Sequence, residues 1–242
     1  MKTAIKLILL VFSYHLSYSQ FIGGEAKYGI RKTEAVFNQM NNSSQNELLK
    51  TVENEIDKNL PYFSFTLKYT SKEAIFEIDK ILMDREERGK RLAFITAQGY
   101  NRFYYNIVID STIMQTEVYG AKFRVLTKIS DMDWKISNER KQIDEFLCYK
   151  ATASYVTVND VGTFNKKVVA WFAPQIPAPF GPAGFAGLPG LIVELQDDKL
   201  LYFLQKINST IKDIKIEKFK KGKIVTKEQL DNFAFENANF RN

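Results

Sequence analysis

With 242 residues, 45% of them hydrophobic, the chain has enough apolar mass for one well-buried core or at most two small ones, and a single domain is expected. Its formal charge is +6, and one His and one Cys are too few for a disulfide framework or a His/Cys metal cluster, so no metal or cofactor is expected. An aromatic content of 14%, with 19 Phe and 12 Tyr, suits a β-rich fold in which flat rings pack on a pleated surface.

At the N-terminus, Lys2 and Lys6 precede an apolar run from Leu7 to Phe12, and Ser17 and Ser19 sit where a signal peptidase reads small residues. Residues 1–19 are therefore expected to be a signal peptide cleaved before Gln20, leaving 20–242 as one exported domain, periplasmic or secreted. The run is far shorter than the ~18 to 20 apolar residues a bilayer span needs, so no transmembrane segment is expected. His15 falls inside the leader, and the mature chain then has no imidazole. That removes Ser-His-Asp and Cys-His catalysis, histidine acid–base steps and the usual zinc and copper sites. Cys148 lacks a base and reads as a buried structural thiol, with intermolecular pairing as the alternative. Loss of Lys2 and Lys6 leaves 32 basic against 28 acidic groups, a charge of +4.

In chain order, Gly23-Gly24 leads into a first strand over Ala26 to Arg31. Ser44 with Glu47 forms a capping box, and Leu48, Leu49, Val52, Ile56 and Leu60 recur at helical spacing until Pro61 ends the pattern. From Phe63 the period becomes two: Phe63, Phe65, Leu67 and Tyr69 alternate with polar residues, and Ala74 to Ile81 follows as a second strand. Met83 to Lys90 is a charged turn or short helix. Leu92 to Ala97, Arg102 to Asp110, Thr112 to Tyr119 and Lys122 to Ile129 are strand-like, with hairpin breaks at Asp110-Ser111 and Gly120.

Asp131 to Trp134 is a corner, its two Asp acting as turn formers, followed by Lys135-Ile136 and an excursion at Asn138 to Lys141. Ile143 to Val158 reads as one long strand, Asn159 to Gly162 as a turn, and Val168 to Phe172 as the next strand. Leu191 to Leu195 and Leu200 to Ile207 form a hairpin around Asp197-Asp198. Ile211 to Phe219 reads as a strand, and Thr226 with Gln229 caps a short final helix. The late Lys212, Lys215, Lys218, Lys220, Lys221 and Lys223 read as a solvated or edge-protecting face. A nucleic-acid site would want Arg and aromatics interleaved, so no nucleic-acid partner is expected; weak affinity for anionic lipid headgroups or polysaccharide stays open.

Between two of these strands lies the most distinctive stretch, Ala170 to Leu195, which holds every proline except Pro61. Pro174, Pro177, Pro179 and Pro182 deny donors to a sheet, so the segment must leave it. Its glycines do not open a helix beside a Lys or Ser, which argues against a phosphate cradle. Phe180, Phe185 and Leu188 ride on an arm without polar side chains, which either tucks into the core or lines an apolar cleft. The candidate ligand-binding residues are Trp171, Phe180, Phe185, Gly187, Leu188, Pro189 and Gly190, and no catalytic residue is assigned.

The run Gly187-Leu188-Pro189-Gly190-Leu191-Ile192 carries a resemblance, together with Trp134-Lys135-Ile136, Cys148-Tyr149-Lys150-Ala151, Ala170-Trp171-Phe172, Ile176-Pro177, Gly181-Pro182 and Phe185. Over nearly the whole mature chain it resembles the GLPGLI family, uncharacterised exported proteins of Bacteroidota. The resemblance implies a mainly β fold, one curved antiparallel sheet (half-barrel or bowl-like) with one early and one late helix. Such a sheet is similar to bowl-shaped domains beside some secreted glycan-processing enzymes and to periplasmic lipoprotein carriers. Fold does not fix function.

Three functional readings follow. The favoured one is an exported, non-catalytic binding or carrier-like protein whose apolar and aromatic concave face, roofed by the arm, takes an apolar or glycan ligand. The second is a His-independent glycan hydrolase, which needs two carboxylates ~5 to 10 Å apart; Glu194, Asp197 and Asp198 are the only group near the arm, although alternation turns Glu194 away. The third is a structural component of an envelope assembly, with another envelope protein as partner.

Overall fold

The period-two pattern becomes two antiparallel meanders in one sheet. The structure is a computed structural model and describes residues 23–36, 43–81, 87–159 and 162–239. The expected signal peptide, residues 83–86 of the charged segment, residues 160–161 of the expected turn and the capping side chain of Ser44 lie outside the described residues. The first meander runs β1 (Gly24–Lys32), β2 (Ser64–Tyr69), β3 (Glu73–Ile78), β4 (Arg102–Asn106), β5 (Ser111–Val118) and β6 (Ala121–Thr127). The second runs β7 (Lys135–Ile143), β8 (Phe146–Asn159), β9 (Gly162–Ala173), β10 (Leu191–Asp197) and β11 (Leu200–Asn208). Pairing of β1 with β11 joins them, and β12 (Lys223–Val225) adds to β6 in parallel, giving the open order β12-β6-β5-β4-β3-β2-β1-β11-β10-β9-β8-β7.

The sheet is strongly curved. β5 and β8 stand eight strand spacings apart in that order, ~38 Å in a flat sheet, yet residues of both line one cleft. Its inner face carries the core. Tyr28, Phe65, Phe76, Tyr105 and Tyr202 are buried at alternate positions, with Phe65 stacked on Phe76 at 5.2 Å and Tyr202 edge-on to both at 5.6 and 6.1 Å. Two helices cover this face at one end: α1 (Ser43–Asn59) buries Ile56, and α2 (Arg88–Thr96) buries Ala93 and sets Phe94 5.8 Å from Phe63. The largely buried Lys32 of β1 pairs with Glu53 and, at 3.1 Å, with Asp57, clamping α1 to the sheet. α3 (Lys227–Asn239) covers the far edge, with Leu230 buried and Phe233 4.8 Å from Phe123.

Several expectations are corrected. Leu92 to Ala97 belongs mostly to helix α2, not to a strand, because a short apolar run fits either state and packing against Phe63 decides it. Leu48 is exposed, so the apolar stripe of α1 is narrower than expected. Strand β4 stops at Asn106, whose side-chain oxygen accepts from the amides of Val108 and Ile109 and starts a turn. The expected strand from Ile143 to Val158 is broken at Asp144, which has φ 48°. Ile211 to Phe219 is an irregular strap rather than a strand, since β12 already occupies the edge of β6. The excursion after Ile136 is a bulge, with Ile136 opposite Ala151 and Arg140 opposite Tyr149. The second capping box forms as expected: Thr226 Oγ1 accepts from the Gln229 amide at 3.1 Å, and Gln229 Oε1 accepts from the Thr226 amide at 3.0 Å.

Candidate functional site

The proline-rich arm, residues 174–190, folds back onto the inner face, and its backbone is satisfied there. Tyr105 Oη donates to the Gly181 carbonyl at 2.8 Å and accepts from the Gly184 amide at 2.9 Å. Trp134 Nε1 donates to the Ala186 carbonyl at 2.9 Å, and Tyr28 Oη donates to the Ile192 carbonyl at 2.7 Å. Phe180 and Leu188 are at most 1% exposed, Phe185 is buried against Trp134 and Tyr155, and Phe180 packs 5.9 Å from Tyr105. Gly190 (φ +155°) has its α-carbon so close to β9 that a Cβ would lie 2.3 Å from the Ala173 carbonyl oxygen. Gly187 and Pro189 sit at the exposed bend. Of the two open outcomes for the arm, tucking into the core is the one observed.

Trp171 is separated from the arm. It alternates with the buried Ala170 and Phe172 and so lies on the outer face, with Lys141 Nζ 4.5 Å and Lys150 Nζ 5.9 Å from its ring centroid. Glu194, its cross-strand neighbour, is on the same outer face and pairs with Lys141 at 2.5 Å. The carboxylate group expected near the arm is therefore split between two faces. Cys148 is fully buried, and burial above all pushes its thiol up to about 11, as suits a structural residue.

What the curved face leaves open is a cleft of about 770 Å³ at its rim, between β8 and β9 on one side and β5 and α3 on the other. Register explains its polar floor. Ala151 and Ala170 are opposite each other and buried; four residues further along β8 stands Tyr155, and four residues back along β9 stands Lys166, each on the same inner face. Asp197 continues the inward register of Leu195 and is opposite Val168. Tyr155 Oη donates to Asp197 Oδ1 at 2.8 Å, and Lys166 pairs with Asp198 in the following turn. Met114 of β5, Phe164 of β9 and Leu230 of α3 give the cleft apolar walls, and the Phe164 ring is exposed.

The electrostatics single out Asp197. Burial raises its pKa above the ordinary carboxylate value; the neighbouring Asp198 adds to the rise, while the Tyr155 hydrogen bond and Lys166 oppose it. Burial, with the facing Asp197 charge, likewise raises the Tyr155 phenol. A buried carboxylate of perturbed pKa in a cleft is the kind of group that binding and catalytic sites contain. Sequence reading placed Asp197 and Asp198 in a turn and missed Tyr155, Lys166 and Phe164. The available signal was polar or large side chains that continue the inward register beyond Ala151 and Ala153 of β8 and Val168 and Ala170 of β9.

Comparison with solved structures finds PNGF-II, in two crystal forms, each with a TM-score of 0.52 and with 9% and 10% sequence identity. In both, 88% of this chain matches 33% of the other, so the chain spans about a third of the length of the structures it resembles, and the likeness is one of fold. No curated protein sequence matches. Residues 160–194, which take in all of β9, the whole arm and the start of β10, match the model of a Bacteroidota-associated family described as "Protein of unknown function (Porph_ging)".

Proposed function

We propose that the chain is an exported, non-catalytic binding module of the GLPGLI type, and that it takes a glycan fragment in the rim cleft rather than under the arm. The observation that carries this reading is the Tyr155–Asp197 pair on the cleft floor beside the exposed Phe164 ring. A sugar offers hydroxyl donors on its edge and C–H groups on its face, so a buried carboxylate with a neighbouring aromatic matches both. Against hydrolysis stands the distribution of carboxylates: Glu194 is on the opposite face, and the two that line the cleft beside Asp197, Asp198 and Asp231, are held in ion pairs with Lys166 and Lys227.

The test is a glycan array followed by calorimetric titration of the best hit against the wild type, Asp197→Asn and Phe164→Ala. The expected result is binding that each variant weakens at least tenfold while thermal stability changes little. Unaltered affinity in both variants would move the site elsewhere, and cleavage of the bound glycan would replace the binding reading by the hydrolase. Export is tested separately: the protein from a periplasmic or secreted fraction should begin at Gln20, and an intact leader on cytoplasmic material would overturn it.

A further inference from the structure

The outer face carries a second groove, of about 770 Å³, distinct from the rim cleft and on the other side of the sheet. The strap 211–222 builds it by crossing β3, β4 and β5. Phe219 plugs the strap onto Ile75, Tyr104 and Ile113, forming a small apolar cluster of its own. Its carbonyls are held from the sheet: Arg124 donates to Phe219 and Gly222 at 3.0 and 3.1 Å, and Gln115 donates to Lys221 at 2.7 Å. The strap is thus fixed by its backbone, Phe219 and the half-buried Ile216, and its lysines are exposed, Lys218 with its Nζ 5.9 Å from the Tyr104 ring centroid.

Seven cations and only two carboxylates line the groove. The sheet's share is already paired: Arg102 with Glu77 at 2.6 Å, Lys122 with Glu117 at 3.8 Å and Lys68 with Glu25 at 4.0 Å. Lys215, Lys218, Lys220 and Lys221 on the strap are exposed and make no ion pair among the described residues. Protection of a sheet edge cannot explain them, because the strap is not a strand and the edge beside β6 belongs to β12. Four like charges held along one wall of a concave channel, with Glu217 the one carboxylate of the strap that lines it, repel one another, a cost that an anionic ligand removes.

We propose that this groove binds a linear anionic polysaccharide, one bearing carboxylate, sulfate or phosphate groups along its chain. Lysines are point charges that follow a flexible anion without demanding one planar geometry, and the guanidinium forks of Arg102 and Arg124 are occupied within the protein. Single-stranded nucleic acid would want aromatic faces for its bases, but Tyr104 and Phe219 are both buried. A bilayer presents a flat surface, whereas these charges line a channel. Affinity should fall with added salt, since each neutralised charge releases a counterion.

The test uses dextran sulfate and neutral dextran of equal length as probes, with vesicles of phosphatidylcholine and phosphatidylglycerol and an oligothymidine as competing classes. The protein is compared with the variant Lys215→Gln, Lys218→Gln, Lys220→Gln, Lys221→Gln and with a control of equal charge change at the exposed Lys50, Lys58, Lys135 and Lys167. The expected result is binding of dextran sulfate alone, weakened at least tenfold at low salt and with a shallower salt dependence in the groove variant, and changed less than twofold in the control. Equal losses in both variants would reduce the effect to net charge and overturn the site. Vesicles or oligothymidine bound as tightly as dextran sulfate would overturn the ligand class.

Discussion

The arm 174–190 and the rim cleft share one concave face and use it in opposite ways. The arm has the most distinctive sequence in the chain, yet its Phe180, Phe185 and Leu188 are buried and its backbone is held by the Tyr105 hydroxyl and the Trp134 indole. The rim reads as ordinary hairpin sequence, yet it keeps a buried carboxylate, its phenol partner and an exposed ring around open space. A stretch can therefore be distinctive because its backbone shape is demanding, while an open polar cleft is left where inward polar groups have no neighbour to fill the space above them.

The largest expected effect tests the arm as core. Phe180→Ala should cost about 3–5 kcal/mol of stability by leaving a cavity, read by urea denaturation. A variant of undiminished stability that has lost ligand would turn the arm back into a site. Gly190→Ala comes next, at about 2–3 kcal/mol, because its Cβ would run into the Ala173 backbone and φ is positive; Gly187 shares the positive φ (+93°) but is exposed and meets only the Ile129 Cγ2 methyl at 3.0 Å rather than backbone, so its substitution should cost less.

On the rim side, Thr226→Ala should lower stability by about 1 kcal/mol through loss of the α3 cap, with faster hydrogen exchange confined to α3. Wholesale acceleration would mean that α3 supports the core rather than walling the cleft. The smallest effect is a slope. A carboxyl whose native pKa is raised binds its proton more tightly when folded, so Asp197 lowers stability as pH rises from its ordinary value of 3.8 through the raised native one. Asp197→Asn should flatten that part of the stability–pH curve, measured by thermal unfolding between pH 3 and 7. An unchanged curve would remove the claim that Asp197 is desolvated.

Much of the architecture was legible in the chain. Alternation at Phe63 to Tyr69 and the capping pair Thr226–Gln229 are local signals, and their structures follow from local rules. Short apolar runs misled where two states fit equally well, as at Leu92 to Ala97, and where one positive-φ residue, Asp144, breaks a pattern that reads as continuous. The lysine strap misled for another reason: its alternation lacks a partner strand, and pairing is never visible in one strand alone.

By itself the sequence determined the β-rich class, the exit of 174–190 from the sheet and the lack of any His beyond position 15, because proline chemistry, period and residue inventory need no knowledge of distant contacts. Only the tertiary structure decided that the arm fills the bowl, that Glu194 and Asp197 part to opposite faces, and that Tyr155 meets Asp197 across 42 positions of chain. Those outcomes depend on sheet curvature and register, which arise from all twelve strands packing together and belong to no single segment.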